Sequence, residues 1–315
     1  MSNYWLISIV LTLYNKAPYI EETLFSIYNQ SYKNRELIII DDCSTDWSFK
    51  IAKSFCEKLG IVHKCKFIQN DKNLRVARSF ENWLKIAEWE RISMCDWDDI
   101  LVKNHLEEKI EFCKKYNYEF CCGWCIDIDE NNNFICFWNE WLFWWIHKKY
   151  LKNSSFKEHL ILPNAIWSAI FFNKKVRDKL LEISFPIDVF QDFWTEIIAT
   201  IHNFKTWTIN EYLFYHRRCI NSITVYKDWL LHSYKEYYKQ RLSVAAYLKN
   251  RRNTWNDNKE WIKRRSSINK ELLVCSTNWN KEDYIRTFFQ ILKLKIWFKH
   301  KCILLYQLFN IIIHK

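Results

Sequence analysis

Two groups of aspartates are the residues in this sequence most suited to chemistry. Asp96, Asp98 and Asp99 are interrupted by a single tryptophan, and Asp41 and Asp42 form a second group. Carboxylates this close repel one another unless they share a cation, so the first group predicts a hard divalent ion, Mg²⁺ or Mn²⁺, bridging to a diphosphate. The alternative is a solvated loop that caps the next helix, and a D-x-D pattern alone does not decide between them.

Each aspartate group directly follows a predicted strand. Runs rich in Ile, Val and Leu alternate with helical periodicity in the first third of the chain, and the strands at Glu36–Ile40 and Arg91–Cys95 end at the aspartates. This alternation predicts an α/β fold, a Rossmann-like doubly wound sheet of mostly parallel strands that binds its ligands beyond the strands' carboxyl ends. Asp42 is then placed to meet a ribose or base, with a turn or helix-cap role as the alternative.

Strands and helices are predicted as far as residue 215, and the segment beyond Tyr226 is predicted to be helical only. Further strands are predicted at 6–13, 62–69, 120–128 and 166–172, two short ones at 206–209 and 212–215, and helices at 17–30, 49–59, 76–87, 103–115, 174–181 and 188–202. No glycine-rich dinucleotide fingerprint or P-loop is present. The segment after Tyr226 is helical and basic, so we predict a catalytic domain over 1–225 and a helical extension over 226–315.

Composition narrows the class of partner. The 315 residues are 49% hydrophobic, and Lys+Arg minus Asp+Glu is 47 − 36 = +11, which favours an anionic partner such as a phosphorylated ligand, nucleic acid or membrane surface. The first apolar run, Leu6–Leu13, is too short to cross a bilayer. Twelve cysteines without a leader pattern predict reduced thiols in the cytoplasm. Cys121, Cys122 and Cys125 lack a second ligand pair and are predicted as buried strand residues.

Several ordered segments together carry a family resemblance. They are SIVLTLYN from Ser8, SIYNQSYKNRELIIIDDCSTD, NLRVARSFEN and ISMCDWDDI. In this order they resemble the inverting GT-A-type glycosyltransferases of family two, and the CDxDD form is similar to the rhamnosyltransferase-like branch. The resemblance runs to about Thr224. It implies transfer of a sugar from a nucleotide-sugar donor to a saccharide or lipid-linked acceptor in surface polysaccharide synthesis.

The resemblance also implies roles for the residues in these segments. Thr12, Tyr14 and Asp42 would hold the base and ribose of the donor, and Arg78 would lie near its diphosphate. Asp96 and Asp98 would form the D-x-D, with Asp98 as the direct ligand of Mg²⁺ or Mn²⁺.

Two later segments resemble the family's remaining site motifs. In FQDFWTEII, Asp192 matches the general base, and Gln191 stands where glutamate is usual. In YHRRCINSIT, His216, Arg217 and Arg218 match a segment that closes over the diphosphate, and a cysteine replaces its usual second histidine.

The expected reaction requires residues of these types. An in-line displacement needs one carboxylate to accept the proton of the acceptor hydroxyl, and cations must face the departing diphosphate. Without the resemblance, Asp192 is interpreted as an acid that the dipole favours at a helix N-terminus. The segment His216–Arg218 is then interpreted as a basic surface loop. The alternatives are a nucleotidyltransferase that releases pyrophosphate and a non-catalytic basic protein that binds nucleic acid. The resemblance implies no nucleic-acid partner.

The C-terminal segment allows two interpretations. Phe288–Lys315 mixes apolar residues with lysines, which is typical of an interfacial helix that draws an enzyme to anionic lipid. It is equally typical of a helix packed on the catalytic domain. We therefore predict a cytoplasmic protein with a candidate peripheral membrane contact.

The balance of glycine and tryptophan is abnormal. The chain has 2 glycines, where average usage of about 7% would give roughly 22, and it has 18 tryptophans. In the resembling family, small or turn-forming residues usually stand where this chain has Trp47, Trp83, Trp89, Trp97 and Trp167. We hypothesise that UGA codons in this gene specify glycine and are written here as tryptophan. Several of these sites are expected to be turns or tight approaches, where bulk does not fit.

Overall fold

The computed structural model describes residues 5–87, 90–137, 167–183, 191–219 and 281–293, with single positions between 239 and 308. The chain divides into two compact units, Met1–Arg217 and Arg218–Lys315. The strands are β1 Ile7–Leu13, β2 Arg35–Asp41, β3 Cys65–Gln69, β4 Arg91–Asp96, β5 Ile100–Leu101, β6 Phe120–Ile128, β7 Phe134–Phe137, β8 Phe171–Asn173 and β9 Thr206–Arg217. The helices are α1 Ile20–Tyr28, α2 Ser48–Lys58, α3 Arg75–Ile86, α4 His105–Tyr116, α5 Lys174–Glu182, α6 Gln191–Ile201 and α7 Lys281–Lys293.

One nine-stranded sheet organises the first unit. Its order is β3-β2-β1-β4-β8-β6-β9-β5, with β7 paired to the other strands through β6. The strands β3, β2, β1 and β4 are mutually parallel, and β8 enters antiparallel between β4 and β6. Because β6 and β9 are again parallel, most strands share one direction. The predicted α/β fold with a mostly parallel sheet is confirmed.

Burial explains why the central strands are apolar along their whole length. Val10 and Leu11 in β1, and Ile38 and Ile39 in β2, have no exposed surface, as expected of parallel strands covered on both faces. A side-chain cap marks the start of one helix. The Asn173 side chain accepts a hydrogen bond from the Val176 N–H at the start of α5, at 3.1 Å.

The structure changes two of the predicted elements. The two short strands at 206–209 and 212–215 are one strand, β9, whose pairing with β6 shifts register near Gly123. The polar residues that look like a turn in the sequence lie in β9 opposite this shift, where they form an irregularity in the strand and not a turn. The predicted strand at 166–172 is reduced to a 3-10 turn, Trp167–Ala169, followed by β8.

Both glycines lie where a side chain would be strained. Gly60 has φ +66°, and a Cβ on Gly123 would meet Leu213 Cδ1 at 2.4 Å. By contrast, no tryptophan among the described residues has a positive φ. Trp47 has φ −83° and is 70% exposed, and Trp83 lies inside α3. Backbone conformation therefore does not require glycine at either tryptophan.

Candidate active site

The parallel strands bring both aspartate groups to one edge of the sheet. In the register of β1, Leu13 lies beside Asp41 of β2, and Thr12 lies beside Asp96 of β4. Acids 55 positions apart in the chain thus flank the carboxyl end of a single strand. Tyr14 follows that strand and is 39% exposed.

Asp42 has one carboxylate oxygen engaged by the fold and one that is not. Its Oδ1 accepts hydrogen bonds from Asn70 Nδ2 at 2.8 Å, the Leu74 N–H at 2.9 Å and Ser79 Oγ at 2.8 Å. No donor in the described part of the chain reaches its Oδ2. These bonds fix the carboxylate and leave an acceptor for a ligand. The neighbouring Asp41 is fully buried and accepts from the Ser44 N–H, a structural role.

Arg78 pairs with a glutamate of its own helix. It is half-exposed on α3, and its Nη1 donates to Glu81 Oε2 at 2.7 Å. The next residue, Ser79, contacts Asp42, so α3 itself borders the site. Nothing else in the described residues joins the Arg78 side chain to the aspartates.

Asp99 anchors residues 96–99, which we call the aspartate loop. It is fully buried, and its Oδ2 accepts the Ser168 hydroxyl at 2.5 Å, while the Asp96 N–H donates to the same Ser168 Oγ at 2.7 Å. Its Oδ1 accepts the backbone N–H of Arg217 at 3.1 Å. Burial raises the pKa of Asp99 to about 6, while His216 opposes that shift.

A lysine not predicted from the sequence faces the D-x-D. Lys16 is almost fully buried, its Nζ lies 3.4 Å from Asp98 Oδ2, and the ammonium sits 4.3 Å from the centroid of the Trp97 ring. Its backbone N–H donates to Ser48 Oγ at 2.8 Å. The sequence signal that could have found it is a lysine directly beyond the carboxyl end of the first strand.

The electrostatics of Asp96 show how crowded with negative charge this edge is. Burial raises the pKa of Asp96 well above its usual range, and Asp99, Asp98 and Asp192 raise it further, whereas Lys16 lowers it. Together these carboxylates form a cluster whose negative charge attracts cations. Asp96 and Asp98 offer the hard oxygen ligands that Mg²⁺ and Mn²⁺ prefer, and an ammonium already pairs with one of them.

Asp192 faces this cluster from the first turn of α6. Its Oδ1 accepts the Phe193 N–H at 2.6 Å. Burial raises the pKa of Asp192 to about 7, Glu196 adds to the rise, and His216 opposes it. Since Asp192 in turn raises the pKa of Asp96, the two carboxyl groups are close enough to interact. The preceding Gln191 is buried.

Arg217 is used by the fold rather than left open for a ligand. Its Nε donates to the Asp98 carbonyl at 2.9 Å, its Nη2 donates to Glu22 Oε2 at 2.7 Å, and its guanidinium carbon lies 4.9 Å from the Tyr19 ring centroid. The side chain is 1% exposed. With its N–H on Asp99, Arg217 ties β9 to the aspartate loop and to α1.

The neighbours of Arg217 differ in exposure. His216 Nδ1 lies 2.9 Å from Asp127 Oδ1 on β6, and its side chain is 16% exposed. Arg218 is partly exposed after the end of β9, and Cys219, in the position of the expected histidine, is buried. His216 is therefore held against β6 and remains partly accessible.

The family of the chain follows from comparison with known proteins. The model of glycosyl transferase family 2 matches residues 8–181, more than half of the chain. The chain belongs to that family. The match contains Asp42, Asp96 and Asp98 and ends before α6 and β9.

Relatives support this membership over shorter stretches. EpsE of Bacillus subtilis is 36% identical over 112 residues, which cover 36% of this chain and 40% of EpsE. The Escherichia coli UDP-Glc:alpha-D-GlcNAc-diphosphoundecaprenol beta-1,3-glucosyltransferase WfgD is 30% identical over 132 residues, 42% of this chain and 49% of WfgD. The chain thus matches less than half the length of either relative.

Solved structures show the same fold. TarS of S. aureus in complex with UDP-GlcNAc has a TM-score of 0.62 at 16% identity, covering 98% of this chain and 81% of that one. The mannosyltransferase PcManGT of Pyrobaculum calidifontis, in complex with GDP-Man and Mn²⁺, has a TM-score of 0.59 at 16% identity, covering 97% and 86%. The GT-A architecture predicted from the sequence is therefore confirmed.

Proposed function

We propose that this family 2 protein transfers a sugar from a nucleotide-sugar donor to a saccharide or lipid-linked acceptor, with inversion at the anomeric carbon. The observation that carries the proposal is the convergence of the D-x-D and Asp192 on one edge of the sheet. It supplies a place for a diphosphate and a base for an acceptor. The family's rhamnosyltransferase-like branch stays a prediction.

Asp192 is the residue suited to the proton transfer. In the proposed displacement the acceptor oxygen attacks the anomeric carbon, the bond from that carbon to the phosphate oxygen breaks, and the acceptor proton passes to Asp192. A pKa of about 7 leaves much of this carboxyl ionised at neutral pH and still makes it an effective acceptor. No covalent enzyme intermediate is needed.

Cationic side chains serve the departing nucleoside diphosphate. Lys16 at the D-x-D, His216 beside Asp127, and Arg218 after β9 are the candidates to face its negative charge. Asp42, with its open oxygen, would accept a hydrogen bond from the ribose or base, and Tyr14 would lie against the ring. Arg217 instead holds the aspartate loop in shape.

Asp96 and Asp98 would hold a divalent metal. Bound there, Mg²⁺ or Mn²⁺ supplies charge neutralisation for the diphosphate. Structures of TarS hold UDP or UDP-GlcNAc, and that of PcManGT holds GDP-Man and Mn²⁺, which supports a nucleotide-sugar donor and this class of metal. Family membership favours sugar transfer over the two alternatives from the sequence, nucleotidyl transfer on a similar sheet and nucleic-acid binding by a basic protein.

The acceptor side is proposed from relatives and from α7. By its name, WfgD acts on a diphosphoundecaprenol-linked GlcNAc, which supports a lipid-linked acceptor. TuaG of Bacillus subtilis, 32% identical over 115 residues, is named for teichuronic acid biosynthesis, which supports surface polysaccharide synthesis. No helix within the described residues is long and apolar enough to cross a membrane. On α7, Ile285, Phe289 and Leu292 are exposed at helical spacing. Of the predicted interfacial segment, the structure describes residues 288–293 and the single positions 305 and 308, and the rest lies outside the described residues.

Sedimentation with vesicles tests the peripheral contact. We expect the protein to pellet with anionic phosphatidylglycerol vesicles, less so with phosphatidylcholine alone, and less at high salt. Replacing Phe289 with Ser should weaken this binding. A protein that stays in the supernatant with every vesicle would contradict the membrane contact.

Nucleoside diphosphate release tests the catalytic proposal. The protein is incubated with UDP-, GDP- and dTDP-sugars and Mn²⁺, with and without a saccharide acceptor. We expect release from at least one donor, its loss on chelation, and its loss in Asp98→Ala. The matched control is Asp178→Ala, an exposed aspartate of α5 paired with Arg177. A folded protein that neither binds nor cleaves any donor would contradict the proposal.

A further inference from the structure

A second cluster of metal-binding groups lies beside the aspartate loop. The Cys125 thiol, the Asp127 carboxylate and the His216 imidazole each offer one ligand atom, and these atoms all lie within 4.8 Å of one another. Cys125 and Asp127 are 1% and 2% exposed. The diphosphate chemistry proposed above uses neither of these two residues.

The sheet itself brings the three side chains together. Cys125 and Asp127 are two positions apart on β6, so they project from the same face. Asp127 pairs with His216 on the parallel strand β9, and partners in register share a face as well. The cluster is thus produced by backbone pairing within one sheet, on rigid elements rather than a loop.

The spacing is close to that of a tetrahedral zinc site. Zinc bonds of about 2.0–2.1 Å to nitrogen and oxygen and about 2.3 Å to sulfur place neighbouring N and O ligands about 3.3 Å apart, and S and O ligands about 3.5 Å apart. Here Nδ1 of His216 lies 2.9 Å from Asp127 Oδ1, and Cys125 Sγ lies 3.9 Å from that oxygen. Changes of about 0.4 Å, within the reach of side-chain rotation, would bring these two pairs to tetrahedral spacing. The third pair, the Cys125 sulfur and the His216 nitrogen, lies within 4.8 Å and would have to close towards about 3.5 Å.

We propose that Cys125, Asp127 and His216 bind a zinc-class divalent ion through one thiolate, one carboxylate and one imidazole nitrogen. Thiolate and imidazole ligands select Zn²⁺ over Mg²⁺ and Mn²⁺, which prefer the all-oxygen D-x-D. The three ligands leave the fourth position to water. Ligation through Nδ1 leaves Nε2 of His216 protonated and fixed in direction, available as a hydrogen-bond donor.

The competing interpretation is an ion pair without metal. In that case His216 is held by Asp127 alone, and Cys125 is an ordinary buried thiol. The two interpretations differ in one respect that can be measured, which is whether the sulfur of Cys125 bonds to the metal.

Cobalt absorption spectroscopy makes that measurement. The purified full chain, stripped of metal and kept in excess Mg²⁺ to fill the D-x-D, is titrated with Co²⁺. We expect a near-ultraviolet thiolate-to-cobalt charge-transfer band that reaches its full height at one equivalent and is removed by one equivalent of Zn²⁺. The band should vanish in Cys125→Ser and persist in Cys121→Ser, a matched change of a buried cysteine on the same strand.

Two outcomes would overturn the proposal: no charge-transfer band with excess Co²⁺, or a band that Cys125→Ser leaves intact. Should Cys125→Ser fail to fold by circular dichroism, X-ray absorption of the zinc-loaded wild type decides. One sulfur among nitrogen and oxygen ligands supports the site, and any other sulfur count contradicts it. Because neither readout requires sugar transfer, the zinc site and the proposed transferase activity can fail independently.

Discussion

At the scale of single residues, Asp192 is half-buried and is proposed to act as a base, a role that needs its ionised carboxylate. We predict that Asp192→Asn lowers kcat by about 10²–10⁴-fold, the contribution typical of a general base. Donor binding should change little, because the carboxylate acts on the acceptor. Steady-state kinetics and donor titration check this, with Asp178→Asn as the matched control on α5. Equal losses in both variants would contradict the assignment.

The same burial makes Asp192 costly to the fold. Its pKa of about 7 in the folded chain lies above the usual value near 4, so the folded protein prefers the protonated form. Stability therefore falls as pH rises from about 4 to 7 and stays reduced above 7. We expect Asp192→Asn to raise the melting temperature at pH 8 and to have little effect at pH 4. An unchanged melting temperature at pH 8 would contradict the raised pKa.

The pH profile of catalysis follows from the same carboxyl. The base is active when ionised, so kcat/KM should rise with pH and level off above about pH 7. Glu196 raises this midpoint, while His216 and a bound divalent ion lower it. The small residual activity of Asp192→Asn should lose this rise. A rise that persists in the variant would assign the titration to another group.

At the scale of elements, β9 is the part that holds the site together. Arg217 reaches the Asp98 carbonyl, the Asp99 carboxylate and Glu22 from this one strand. A lysine keeps the charge and loses the fork of donors. We predict that Arg217→Lys weakens Mn²⁺ binding about tenfold and lowers the melting temperature, as measured by manganese paramagnetic resonance and thermal unfolding.

A second buried arginine provides the control for Arg217. Arg177 on α5 donates to the Ala87 carbonyl and to Asp178, away from the aspartates. Arg177→Lys should lower the melting temperature without changing Mn²⁺ affinity. If both variants lose Mn²⁺ binding equally, the effect of Arg217 is general destabilisation and its role in positioning the loop is wrong.

At the scale of the whole molecule, the tryptophans are the unusual feature. Trp83 is fully buried and packs edge-on against Phe80 at 4.7 Å, whereas Trp47 is mostly exposed. Replacing a buried tryptophan by a small residue in a chain packed around it costs about 3–5 kcal/mol. The structure thus accommodates tryptophan, and the glycine shortage is the observation that still needs an explanation.

Peptide mass spectrometry of the naturally produced protein tests the codon hypothesis. We expect glycine at positions 47, 83 and 97. In that case a recombinant chain with glycine at Trp47, Trp83, Trp89, Trp97 and Trp167 should be the active form in the donor assay. Tryptophan in the natural peptides would contradict the hypothesis and make these aromatic rings authentic parts of the enzyme.

The sequence by itself determined the order of the elements and the edge of the sheet at which the acids collect. Apolar runs of strand length end at Asp41 and at Asp96, and parallel strands must present their carboxyl ends together. The prediction of two short strands at 206–209 and 212–215 was wrong, because a register shift near Gly123 lets them form the single strand β9. A bulge depends on the partner strand, which periodicity within one segment does not contain.

Only the tertiary structure decided which charges meet. Lys16 and Asp98 lie 82 positions apart, Asp127 and His216 lie 89 apart, and Arg217 reaches back 195 positions to Glu22. Hydrogen bonds and ion pairs act over a few ångströms, so their partners depend on strand order and register rather than on spacing in the chain. Hence the sequence indicated a sugar-nucleotide enzyme, while the fold showed that Arg217 supports the aspartate loop and that Lys16 pairs with Asp98.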